Sequence, residues 1–81
     1  KGRSLGGVFK RVDGISAGYY IDRAGLKGEK KGGAEISDKH ANFIINGGGA
    51  TGADFLYLAE LAKKRVYEIF GISLEYEVVF L

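Results

Sequence analysis

Glu75 and Glu77 stand two residues apart in "SLEYEV" (73–78), where alternating apolar residues describe a strand. Both acids then share one face, roughly 7 Å apart at about 3.3 Å per residue. A carboxyl held partly dry beside apolar neighbours has a raised pKa and can pass a proton near neutral pH. Val79 and Leu81 share that face and supply such neighbours, although a solvated acidic face would read the same. Lys10 and Arg11 follow Gly6-Gly7, a bare backbone that a ligand can approach while two cations meet its negative charge. An exposed basic strand end explains that pair equally well. His40 is the only histidine and has no partner at ligand spacing, so neither a histidine metal site nor a Ser/His/Asp arrangement can be argued. With no cysteine there is no disulfide, thiol nucleophile or thiolate metal site.

Gly47, Gly49 and Gly52 in "IINGGGATGAD" (44–54) carry the G-x-G-x-x-G spacing of a dinucleotide-binding turn. That turn needs a strand before it, a helix N-terminus after it, and an acid at the tip of the following strand. The strand and helix are present, but Glu75 and Glu77 lie inside the next strand rather than at its end. The other reading is a strand-to-helix corner that uses glycine for its backbone alone.

The elements that must position these residues read as α+β: a small mixed sheet of short strands carrying one short helix and one long amphipathic helix. Val8–Arg11, Ala34–Ser37 and Asn42–Asn46 are expected strands, with "SDKHA" (37–41) ambiguous between the last two. Ser16 caps a short helix over Ala17–Ala24, ended by Gly25, and "KGEKKGG" (27–33) is expected to be a mobile basic loop. Thr51 and Asp54 form a capping box that opens the long helix. Its buried stripe is Phe55, Leu58, Ala59, Ala62, Val66, Ile69 and Phe70, and Gly71 stops it. Ile72, Leu74, Tyr76, Val78 and Phe80 face one way along the closing strand.

At 81 residues, 46% hydrophobic and 27% charged, the chain fits one small globular domain, residues 1–81, rather than a disordered segment. It opens on Lys1 and is read as a piece of something longer. No apolar run is long enough to span a membrane or to act as a signal peptide. Net charge is +2, but residues 1–40 hold nine Lys/Arg against five Asp/Glu, and residues 41–81 hold three against five. The basic first half suits an anionic ligand, or only a solvated surface.

The stretches "GGVFKR" (6–11), "AGYYIDRAGLKG" (17–28), "GGAEISDKHANFIIN" (32–46), "GGATGAD" (48–54) and "VYEIFGISLEYEV" (66–78) cover nearly the whole chain. In that order it resembles the C-terminal, substrate-binding domain of UDP-N-acetylenolpyruvoylglucosamine reductase, also called UDP-N-acetylmuramate dehydrogenase. The resemblance implies a cytoplasmic bacterial flavoenzyme of peptidoglycan precursor synthesis. There, NADPH reduces FAD and the flavin reduces the enolpyruvyl group of UDP-N-acetylglucosamine enolpyruvate. FAD and NADPH belong to flavin-binding domains outside this chain, which is not expected to turn over alone or to hold a metal, and no nucleic-acid or membrane partner is expected.

Carried over residue by residue, the family's catalytic glutamate falls on Glu77, the second acid of "L-E-x-E-V". Lys10 and Arg11 match the polar pair after "G-S-x-F", and Lys39 and His40 fall where the nucleotide-sugar pocket is lined. The "G-S-x-F" serine, the proton donor to the enol intermediate, is replaced by Gly7, and the proline after the basic pair by Val12. Gly7 keeps a second class open, a non-catalytic binding module on the same fold. A third is a nucleotide-binding domain using residues 47–52.

Overall fold

The chain is described by a computed structural model over residues 7–77. Helix α1, Ala17–Arg23, starts where the Ser16 hydroxyl accepts the Gly18 amide, and the chain leaves it through Gly25 at φ 78°. Strands β1 (Lys30–Lys31), β2 (Ala34–Ile36) and β3 (Ile44–Asn46) form an antiparallel sheet in the order β1-β2-β3. Lys30 pairs with Glu35, Lys31 with Ala34, and Ile36 with Ile44. Helix α2, Gly52–Phe70, packs across this sheet and against α1.

The α+β class holds, with every pairing among the described residues antiparallel. The stretch 27–33 differs from the loop expected. Gly32-Gly33 reverses the chain in two residues, a turn that glycine favours, and the preceding lysines pair as an edge strand. Sequence alone hid this because Lys30 and Lys31 are exposed and leave no apolar alternation to read. The expected strand over 8–11 reduces to a bridge between Phe9 and Tyr76, which also stands for the closing strand within the described residues. Asn42–Asn46 shortens to β3.

The core lies between α2 and the sheet. Leu58, Ala59, Ala62 and Val66 are buried along one side of α2, in one cluster with Ala34, Ile36 and Ile44 of the sheet and with Ile21 and Leu74. Ile69 and Phe70, expected in the same stripe, are 53% and 37% exposed, although the Phe70 ring meets Tyr20 edge-on at 5.3 Å. Among the described residues the last turn of α2 is covered only in part, so period alone overextended the stripe.

The α2 cap forms as expected: the Thr51 hydroxyl accepts the Asp54 amide, and the Asp54 carboxylate accepts the Thr51 amide. The Thr51 backbone N–H is the first cause holding the Asp54 carboxyl below its ordinary pKa. Stability from such a lowered carboxyl is present above its unfolded pKa and is lost as pH falls through the folded value. Thr51→Ala removes the hydroxyl that accepts the Asp54 amide and costs about 1 kcal/mol, read in thermal melts as a drop of about 4–8 °C. Asp54→Asn should also melt below the parent near neutral pH, with that gap narrowing as acid protonates the parent's carboxyl. A pH-independent gap would remove the carboxylate from the effect.

Candidate functional site

The register Phe9 opposite Tyr76 governs where the chemistry-bearing residues go. It sets Lys10 beside Glu75 and Val8 beside Glu77: the Lys10 amide donates to the Glu75 carbonyl at 2.9 Å and the Glu77 amide to Val8 at 2.8 Å. The Phe9 and Tyr76 rings stack at 5.1 Å, anchoring the bridge on its apolar side. Tyr76 donates its hydroxyl to Glu60, and partial burial together with that carboxylate pushes the phenol well above its usual pKa.

Gly7 and Glu77 come together at this bridge. A Cβ added at Gly7 would lie 3.9 Å from Glu77 Oε1 and 2.9 Å from Asn42 Nδ2, so the carboxylate faces the place where a serine side chain would start. Glu77 is exposed in this chain, and Val79 and Leu81, expected to keep it dry, lie outside the described residues.

Lys10 and Arg11 share a crevice with Glu75 and not with Glu77. This cleft of about 220 Å³ is formed by Lys10, Arg11, Val12, Asp13, Ser73 and Glu75. Lys10 Nζ stands 4.0 Å from Glu75 Oε1, with both side chains mostly in solvent. Arg11 donates to the Gly14 carbonyl at 3.0 Å, within a turn whose Asp13 and Gly14 have φ of 50° and 80°. The cause is register: the two acids share a face, but across this antiparallel bridge Lys10 stands opposite the first acid, not the second.

Lys39 and His40 occupy a separate cleft of about 300 Å³, with Tyr19, Lys27, Asn42 and Phe43 among its walls. The ambiguous "SDKHA" stretch is a turn led by Ser37, whose hydroxyl accepts the Lys39 amide at 3.2 Å and the His40 amide at 3.1 Å. Both side chains are exposed, and the His40 ring lies 5.8 Å from the Phe43 ring. The cleft gathers Lys27, Lys39, His40 and two aromatic rings; Asp22 lines it too and pairs with Lys27 at 3.5 Å, so Lys39 and His40 are left to meet an anionic ligand bearing a flat ring. Sequence reasoning missed Tyr19 and Lys27 here. An exposed tyrosine on a short helix was the available signal for the first. Lys27 carried none, being taken up in a basic run.

The glycine turn is spent on its own corner. Asn46 Oδ1 accepts the amides of Gly48 and Ala50, and the Gly33 carbonyl accepts that of Gly47. The β1–β2 turn presses so close that a Cβ on Gly33 would lie 2.0 Å from the Gly48 carbonyl oxygen. The Asp54 carboxylate already sits at the N-terminus of α2. A pyrophosphate needs inward-pointing N–H groups and a helix end free of negative charge, and this loop does not fit one. No cluster of three metal-ligating side chains occurs among the described residues, and no helix there is long and apolar enough to cross a membrane.

Residues 1–81 match the family model for the UDP-N-acetylenolpyruvoylglucosamine reductase C-terminal domain. The UDP-N-acetylenolpyruvoylglucosamine reductase of Campylobacter jejuni (strain RM1221) is 50% identical over 80 residues, covering 99% of this chain and 31% of that protein. The reductase of Chloroflexus aggregans (strain MD-66 / DSM 9485) is 54% identical over 77 residues, covering 95% of this chain and 26% of that protein. The crystal structure of the Thermus caldophilus reductase superposes with a TM-score of 0.72 at 47% identity, over 93% of this chain and 27% of that one. The chain thus spans less than a third of the length of these relatives. With the model matched from end to end, the chain belongs to the family of UDP-N-acetylenolpyruvoylglucosamine reductase C-terminal domains.

Proposed function

We propose that this chain is the substrate-binding domain of a cytoplasmic flavoenzyme, a single domain that closes over UDP-N-acetylglucosamine enolpyruvate and shapes the proton-transfer side of its reduction. The observation that carries this reading is the approach of Glu77 Oε1 to within 3.9 Å of the place of a position-7 Cβ. The two positions to which the family resemblance gives proton chemistry are far apart in the chain, yet they adjoin. Glu77 accepts or returns a proton beside the enolpyruvyl carbons, and closure against the rest of the enzyme dries it. Lys39 and His40 attract the diphosphate, while Lys10 and Arg11 supply positive charge at their own cleft. When bound in the earlier domains, FAD supplies the hydride that NADPH delivers. The glycine loop has no part in holding it.

Gly7 favours a second reading, a binding module that keeps the ligand and has lost the chemistry, because glycine has no group to donate. Titrating the chain with UDP-N-acetylglucosamine enolpyruvate and following backbone amide shifts tests the first. Movement is expected at Lys10, Arg11, Lys39, His40 and Glu77. Shifts confined to Gly47–Gly52, or none at saturating ligand, would overturn it. Shifts at the basic residues with Glu77 unmoved would favour the binding module.

A further inference from the structure

We propose that Asn42 is the positioning residue of this site, the joint that holds the strand bearing position 7 in register with the Lys39–His40 turn. The role rests on the substrate-binding function proposed above. Asn42 holds its neighbour with both ends of its amide. Its Oδ1 accepts the Phe9 N–H at 3.0 Å and its Nδ2 donates to the Phe9 carbonyl at 3.0 Å, across 33 residues of sequence. Its backbone carbonyl accepts the Val8 amide at 2.8 Å. One residue therefore satisfies three polar groups of Val8 and Phe9, as a neighbouring strand would. Without it those groups face a half-buried environment with no partner, at a cost that a short bridge cannot absorb.

The geometry couples three parts of the site through this side chain. Nδ2 stands 2.9 Å from where a Cβ at position 7 would begin, and Glu77 Oε1 is 3.9 Å from that same point. On its other side, Asn42 walls the cleft containing Lys39 and His40. Behind it, Gly18 leaves room: a Cβ there would stand 3.1 Å from the Asn42 amide nitrogen, so the second residue of α1 stays small to let the Asn42 backbone in. Asn42 is thus wedged between α1 and the Val8–Phe9 segment. The amide cannot rotate without releasing Phe9, and Phe9 cannot slide without carrying Gly7 and Lys10 away from Glu77 and Glu75. Such a joint acts on rate rather than on affinity, because it places the reacting groups and gives no charge to the ligand.

The test uses the flavoenzyme that carries this chain, with flavin pre-reduced and its reoxidation by UDP-N-acetylglucosamine enolpyruvate followed over one turnover. Asn42→Ala is expected to slow the saturated rate by about 10²-fold, as a displacement of order 1 Å does, with substrate affinity little changed and the melting temperature lowered, since two polar groups of Phe9 lose their partner. Asn42→Asp keeps an acceptor for the Phe9 N–H and should lose less. It also serves if the alanine variant fails to fold: a slowed rate at an unchanged melting temperature supports the role. A saturated rate equal to the parent's in either folded variant overturns it, as does a loss confined to affinity. Should the parent enzyme, Asn42 intact, leave its reduced flavin unoxidised by this substrate, the function proposed above falls and takes the positioning role with it.

Discussion

Gly7→Ser in the flavoenzyme proposed to carry this chain should raise the rate of enolpyruvyl reduction by about 10²–10⁴, the usual contribution of a positioned general acid. Single-turnover reoxidation of reduced flavin by UDP-N-acetylglucosamine enolpyruvate reads it directly. Position 7 is the entry to the Phe9–Tyr76 bridge, and its side chain would start 3.9 Å from Glu77 Oε1, within reach of a carboxylate that can hold or resupply the proton. The substitution meets one obstacle. Its Cβ would stand 2.9 Å from Asn42 Nδ2, so the amide must give by a few tenths of an ångström while it remains bonded to Phe9. The gain therefore belongs nearer the lower end of the range. Serine with no effect on the rate would remove proton donation from this position and favour the binding module.

Leu58→Ala should cost about 2–5 kcal/mol, the range for truncating a buried leucine. Leu58 is fully buried on α2 and packs with the interior faces of β2 and β3. The loss is a large share of the roughly 5–15 kcal/mol that holds a typical domain together, and a chain of 81 residues has little core with which to offset it. Urea unfolding followed by far-ultraviolet circular dichroism should show the midpoint fall sharply with the slope unchanged. A midpoint near the parent's would mean that α2 does not carry the core.

Much of the scaffold was legible in residue order, and the reasons are local. The box of Thr51 and Asp54, the glycine after Phe70 and the stripe through Leu58 and Val66 each act within a turn or two of helix, so sequence spacing reports them. Ser16 at the head of α1 is of the same kind. Ile69 and Phe70 show where that logic stops: they keep the period, yet period does not say how much partner surface each will meet, and both stay partly exposed. Lys30 and Lys31 show the opposite failure, a strand whose pairing comes from a glycine turn and not from its own side chains. At the site, the resemblance pointed to position 7 and Glu77, and the structure brings them side by side. The pairing of Lys10 with Glu75 rather than Glu77 depended on register across the whole chain, which no local pattern carries. Asn42 is the clearest case of an unreadable residue: between Ala41 and Phe43 it looks like a polar strand position, and its partners lie 33 residues away.

The bridge of Phe9 with Tyr76 has a consequence for how the molecule comes into being. Helices, the small sheet and the Asn42 bonds to Val8 and Phe9 can form from what is already synthesised, but the other edge of Phe9 must wait until Tyr76 emerges from the ribosome. Under the function proposed above, the meeting of position 7 with Glu77 comes late in the folding of this domain, and a nascent chain arrested short of Glu77 would have its scaffold built and that pair still apart.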